Sequence, residues 1–151
     1  MGWFGEIRKD MTKIVPAIEY YEQQLSDAKM ECSLRGSVEK HGRDIPGIVE
    51  YRFGQLQEIE AILEYLNIET KKLKTEKYRQ YLENYNRALS SRDAEKYADG
   101  DAAVVDQQHI VNEFAFIRNK YMGLIKALDA KQFQINNIIK LRVAGLDDLS
   151  L

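Results

Sequence analysis

The sequence predicts an all-α protein built from long amphipathic helices. Apolar residues recur at alternating spacings of three and four over most of the chain, which is the helical period. No stretch shows the strict apolar–polar alternation of a half-buried strand. Two Pro and nine Gly among 151 residues are too few for the turns of an all-β sandwich.

Residues 3–34 read as the first helical segment. Phe4, Ile7, Met11, Ile14, Ile18, Tyr21, Leu25, Ala28 and Cys32 form a heptad seam, suited to lengthwise packing on other helices. Pro16 interrupts it, either kinking the helix or marking a second start in a first turn. From Leu34 to Gly47 the pattern fails: Gly36, Gly42, Pro46 and Gly47 read as a linker. Ile48 to Leu89 is the second helical stretch, with its stripe on Leu56, Ile59, Leu63, Leu66 and Leu73, widened by Ile62. Ser90 followed by Asp93 is a start signal for a short helix through Tyr97. Asp99-Gly100-Asp101 breaks the chain, with Asp101 placed as an N-cap. The last helix spans Ala102 to Ala144, stopped at Gly145. Its basic residues Lys131, Lys140 and Arg142 read as compensation for the negative helix end.

This organisation gives a helical arm over 1–35, a linker over 36–47 and a helical core over 48–151. A 40-residue helix is about 60 Å long, against roughly 40 Å for the diameter of a compact globule of this size. An elongated helical hairpin or bundle is therefore expected, with apolar stripes covered by self-association into a homo-oligomer. The face for that association is Ile110, Phe114, Ile117, Tyr121, Leu124, Leu128, Ile135 and Ile138, a stripe on the last helix.

Composition narrows the function classes. A charged fraction of 30% and a mean hydropathy of -0.48 exclude an integral membrane protein. The opening Met1 to Glu6 lacks a secretory pattern and the single Cys32 has no partner for an intramolecular disulfide, so a cytoplasmic protein is expected. No nucleophile–base motif, phosphate-binding glycine loop or metal-ligand spacing is present, so the chain reads as a non-enzyme without cofactor or metal. His109 reads as a helix-face residue and Cys32 as a small buried hydrophobe. Capping and turn formation explain Asp99, Asp101 and Asp106 better than a cation site does.

The net charge of -2 conceals a strong asymmetry. Residues 71–92 hold seven bases (Lys71, Lys72, Lys74, Lys77, Arg79, Arg87 and Arg92) against two acids, a local charge of +5. Residues 50–69 hold five Glu and one Arg. Tyr78, Tyr81 and Tyr85 are interleaved with the bases at helical spacing. Cations that meet phosphates, beside rings that stack bases, suit a single nucleic-acid strand. The same residues also describe a solvated helix face with tyrosines packed on a neighbouring helix, which is the commoner use of such faces.

The order of features from Ile45-Pro46 through Lys77-Tyr78-Arg79-Gln80-Tyr81, the acidic turn Ala98-Asp99-Gly100-Asp101 and the tail Lys131 to Arg142 resembles the phage UvsY-type recombination mediators. The resemblance covers roughly residues 45–145. It implies an all-α, ring-like homo-oligomer that binds single-stranded DNA. The resemblance implies a protein that helps a RecA-like recombinase displace single-strand-binding protein and form its filament, in the host cytoplasm if the chain is phage-encoded. Lys77 falls on a strand-binding position of the family, and Lys71, Lys72, Lys74, Tyr78, Arg79 and Tyr81 are its expected neighbours in the site. Where the family has a short Gly-containing turn after its tyrosines, Leu82 to Ser90 here reads as continued helix. The alternative is an oligomeric coiled-coil adaptor with no nucleic-acid role, which the two heptad seams suit equally well.

Overall fold

A computed structural model describes residues 2–84 and 88–146; Met1, Tyr85 and Arg87 lie outside the described residues. Among those described, the elements are α1 (Trp3–Lys9), α2 (Ile14–Ala28), α3 (Val38–Asn84), α4 (Ser91–Asp99) and α5 (Ala102–Val143), with 3-10 turns at Met11–Lys13 and Lys29–Cys32. No described residue is in a strand, and no described helix is long and apolar enough to cross a membrane.

The local chemistry explains most boundaries. Asp10 is extended, and its carboxylate accepts hydrogen bonds from the Thr12 amide at 3.0 Å and the Thr12 hydroxyl at 2.7 Å, which ends α1. The first seam is thus carried by two helices rather than one. Pro16 falls in the first turn of α2, where a missing backbone donor costs no intrahelical bond. Ile7, Ile14, Tyr21 and Ala28, seven residues apart, are all buried, so the heptad survives the break. Ser90 caps α4 by accepting from the Asp93 amide at 3.2 Å, and the helix extends to Asp99 rather than Tyr97. At the end of α5, Gly145 takes a φ of +72°. There Leu146 N–H bonds Leu141 O at 2.8 Å and Gly145 N–H bonds Arg142 O at 3.0 Å, a Schellman ending.

Two stretches differ from expectation. Residues 38–47 are helical: irregular backbone is confined to the segment before Val38, where Gly36 has a φ of +96° and the Ser37 hydroxyl accepts from the Lys40 amide. Pro46 therefore sits inside a helix, at the loss of one i→i−4 bond. Packing holds this turn in place. Val38 and Ile45 are buried in a cluster with Leu128 and Ile135, and a Cβ on Gly42 would touch Ile135 at 3.7 Å. At its other end α3 is described as far as Asn84; residues 85–87 of the helix expected through Leu89 lie outside the described residues, and residues 88–90 are irregular rather than helical.

The chain forms two compact units. One comprises Met1–Ile14 and Glu58–Phe116, the other Val15–Gln57 and Ile117–Leu151. The first unit buries Ile7, Ile59, Ile62, Leu66 and Phe114, and the Phe4 ring of α1 meets Tyr65 of α3 edge-on at 6.5 Å. The second unit has an apolar cluster and a buried polar network. Arg52, 3% exposed, donates from Nε and Nη2 to the two carboxylate oxygens of Glu31 at 2.9 and 2.5 Å. Its Nη1 reaches Gln24 Oε1 at 2.8 Å and Gln55 Oε1 at 2.9 Å. Tyr121, whose phenol burial pushes above its ordinary pKa, donates to Gln55 Oε1 at 3.1 Å. Lys131 is also buried. Its ammonium donates to the Glu31 carbonyl at 2.6 Å, so it serves the core and not the helix end.

The stripe expected to join copies of the chain is used within it. Phe114, Ile117, Tyr121, Leu128 and Ile135 are buried, and Leu124 and Ile138 pack on the cluster around Leu128, with Ile110 half-buried. Amphipathic α5 finds its apolar partners in the same chain, so these side chains offer no free face. Leu128→Ala is expected to cost about 2–5 kcal/mol of stability by cavity formation. Urea unfolding should show that loss equally at every protein concentration. A midpoint that stayed unchanged would contradict the placement of Leu128 in the core.

Candidate nucleic-acid interface

Helix α3 buries its last residue at Thr70, whose hydroxyl turns back to donate to Leu66 O at 2.7 Å. From Lys71 to Asn84 every described side chain is half-buried or exposed. The bases here sit on a helix that has left the core, as charged residues must unless they are paired.

Lys71, Thr75 and Tyr78 are spaced by four and three, which puts them on one face of α3. That face and α4 enclose a groove of about 470 Å³, lined by Lys71, Lys74, Thr75 and Tyr78 on one side and Ser91, Arg92, Glu95 and Ala98 on the other. The adjoining face of α3 carries Ile68, Lys71, Lys72, Thr75, Glu76 and Arg79 around a shallower depression. Tyr78 is half-buried and lines the groove.

The expected site residues divide into two groups. Lys72 pairs with Glu69 at 3.2 Å, and Lys74 pairs with Asp99 of α4 at 2.6 Å. The hydrogen bond and charge of Asp99 raise the Lys74 pKa above its ordinary value. Tyr81 is committed to packing: its hydroxyl donates to Asp101 Oδ2 at 3.0 Å and its ring stacks on Tyr97 at 5.5 Å. Lys77 lies close enough to Asp101 to lower that carboxyl's pKa. Lys71, Arg79 and Arg92 have no ion-pair partner among the described residues. The structure thus brings Lys71, Lys74 and Tyr78 to the groove, leaves Lys72 and Arg79 on the adjoining face, and takes Tyr81 out of reach as a stacking platform.

Helix α4 supplies what the spacing in α3 did not indicate. Arg92 entered only as part of a charge total, and Glu95, Ser91 and Tyr97 gave no signal of their own. Asp99 and Asp101 answer to protein partners: Asp99 to Lys74, and Asp101 to Tyr81 and to the Ala103 amide at 3.0 Å as the N-cap of α5. Among the described residues no group of three or more His, Cys, Asp or Glu is placed to hold a metal ion. Cys32 is half-buried, and burial raises its thiol pKa. No family model, curated protein or solved structure matches the chain.

The Asp101 latch is pH-sensitive. Desolvation acts to raise its pKa, but the Tyr81 hydroxyl, the Ala103 and Val104 amides and Lys77 outweigh it, and the carboxyl is held below its ordinary value of 3.8. A depressed carboxyl contributes stability that is present above its unfolded pKa and lost as pH falls through the folded one. Asp101→Asn, which keeps a capping side chain, is expected to flatten the acid limb of stability below about pH 4. Urea midpoints measured against pH check this; parallel acid limbs in the two proteins would contradict it.

Proposed function

We propose that the chain binds single-stranded DNA along the α3–α4 groove and acts as a recombination mediator, assisting a RecA-like recombinase against single-strand-binding protein. The observation that carries the binding half is the pair of exposed cations Lys71 and Arg92 lining the groove with Tyr78, together with exposed Arg79 on the adjoining face of α3, none of them with an ion-pair partner among the described residues. Guanidinium and ammonium groups meet successive phosphates, and a tyrosine lining the groove stacks a base, a contact that only an unpaired strand can give. No step in such binding needs a nucleophile or a metal. The mediator half rests on the resemblance of Lys77 to Tyr81 and the segments around it to the UvsY-type proteins. Repetition of the groove in a ring-like homo-oligomer would turn weak contacts into avidity.

The second reading is a helical adaptor without nucleic-acid binding. It is favoured by the internal use of Tyr81, Lys72 and Lys74, and by apolar residues left exposed on α5, including Met122, Phe133, Ile139 and Val143.

Fluorescence anisotropy of a labelled single strand, titrated at several salt concentrations with duplex as competitor, separates the two. Salt-steep, single-strand-selective binding is expected. Replacing Lys71 and Arg79 together by Ala should weaken it and reduce the log–log salt slope by about 1.4, the share of two phosphates. An unchanged affinity in the double variant overturns the assignment.

A further inference from the structure

The groove is not lined by cations alone, and the way its acids are arranged identifies one subsite. Lys74 stands where two depressions meet. It borders the α3–α4 groove with Lys71, Tyr78 and Arg92, and also a smaller hollow with Thr70, Asp99, Val104 and His109. Its ammonium is held by Asp99 Oδ1 at 2.6 Å, a charge-assisted contact of the length an oxyanion makes with an ammonium. Both partners remain wet, with the Lys74 side chain 44% and the Asp99 side chain 51% exposed. An ion pair so exposed is worth little, and another anion of similar geometry can take the place of the carboxylate at small cost. Asp99 is free to swing into water because no other described group bonds its side chain, unlike Asp101 two residues on, which is tied to Tyr81 and to the start of α5.

We infer that Lys74 is a phosphate subsite of the strand-binding groove, occupied at rest by the Asp99 carboxylate and vacated when a backbone phosphate of the strand replaces it. The inference rests on the strand-binding reading above and adds a residue that regulates it. Asp99 lowers the resting affinity for polyanions in general, because any anion must first displace an internal one. With Lys71 and Arg92 lining the same groove, Lys74 gives the phosphates a third cation beside the Tyr78 ring. Glu95, also at the groove, adds to the repulsion that an incoming strand meets.

Strand binding by four full-length proteins tests this, read by anisotropy at about 50 mM salt. Asp99→Asn is expected to tighten binding about two- to fivefold, the range of an exposed ion pair, with the gain shrinking as salt rises. Lys74→Ala combined with Asp99→Asn should abolish that gain, since no cation is then released. Glu83→Gln removes the same unit of charge about 13 Å further along α3 and should give a smaller change than Asp99→Asn. A wild-type chain that does not bind overturns the strand-binding reading itself. Binding by wild type with Asp99→Asn no tighter than Glu83→Gln, or a gain that persists without Lys74, overturns the subsite alone.

Discussion

Each long helix has to bury an apolar stripe along most of its length, and the supply of apolar residues on α3 sets where it can do so. Ile45, Leu56, Ile59, Ile62, Leu63 and Leu66 are buried; beyond Thr70 nothing on α3 is. The stripe is broken in the second unit by Arg52 and Gln55, and these are satisfied with unusual completeness. Two carboxylate oxygens, two amide oxygens and a phenol close the network, and no described buried side-chain polar atom lacks a partner. A guanidinium removed from water without that coordination would cost several kcal/mol. The 3-10 turn at Lys29–Cys32 is held on both its side chain and its backbone, through Glu31, by Arg52 and Lys131.

The exposed end of α3 follows from the same shortage. With Leu73 only half-buried and Leu82 exposed, this segment is tied to the rest of its unit by polar and aromatic contacts: Tyr81 on Asp101 and Tyr97, and Lys74 on Asp99. Those contacts fix α4 beside α3 and so create the groove. The residues that build the groove and the residues that line it therefore overlap only in part. Tyr81 is architecture, whereas Tyr78 and Lys71 remain available, and Lys74 belongs to both sets.

Much of this was legible in the sequence because helical period and caps are local. The seam at Ile7, Ile14, Tyr21 and Ala28, the Ser90 and Asp101 caps and the Gly145 stop all depend on residues within a turn or two of one another. Contacts between distant residues were not legible. Gly42, Pro46 and Gly47 signal a break, and the helix persists because Val38 and Ile45 meet Leu128 and Ile135. Lys131 has the sequence position of a helix-end charge, but its ammonium is bound to the Glu31 carbonyl, a hundred residues away in the chain. The stripe on α5 has the pattern of an interface between copies, and pattern alone does not say whether the facing helix belongs to the same chain. For the groove, the basic and aromatic content of residues 71–81 was apparent, but its division into packing and free residues was decided by α4.

The central claim is that a single strand lies along α3 and α4 with a base against Tyr78. Photo-crosslinking a bromouracil-substituted single strand to the wild-type chain, with the adducts located by mass spectrometry, tests it most directly. The account expects the adduct on Tyr78 or its immediate neighbours in the groove, with Tyr81 unlabelled. A bound strand whose adducts fall on α2 or on the C-terminal part of α5 would contradict it.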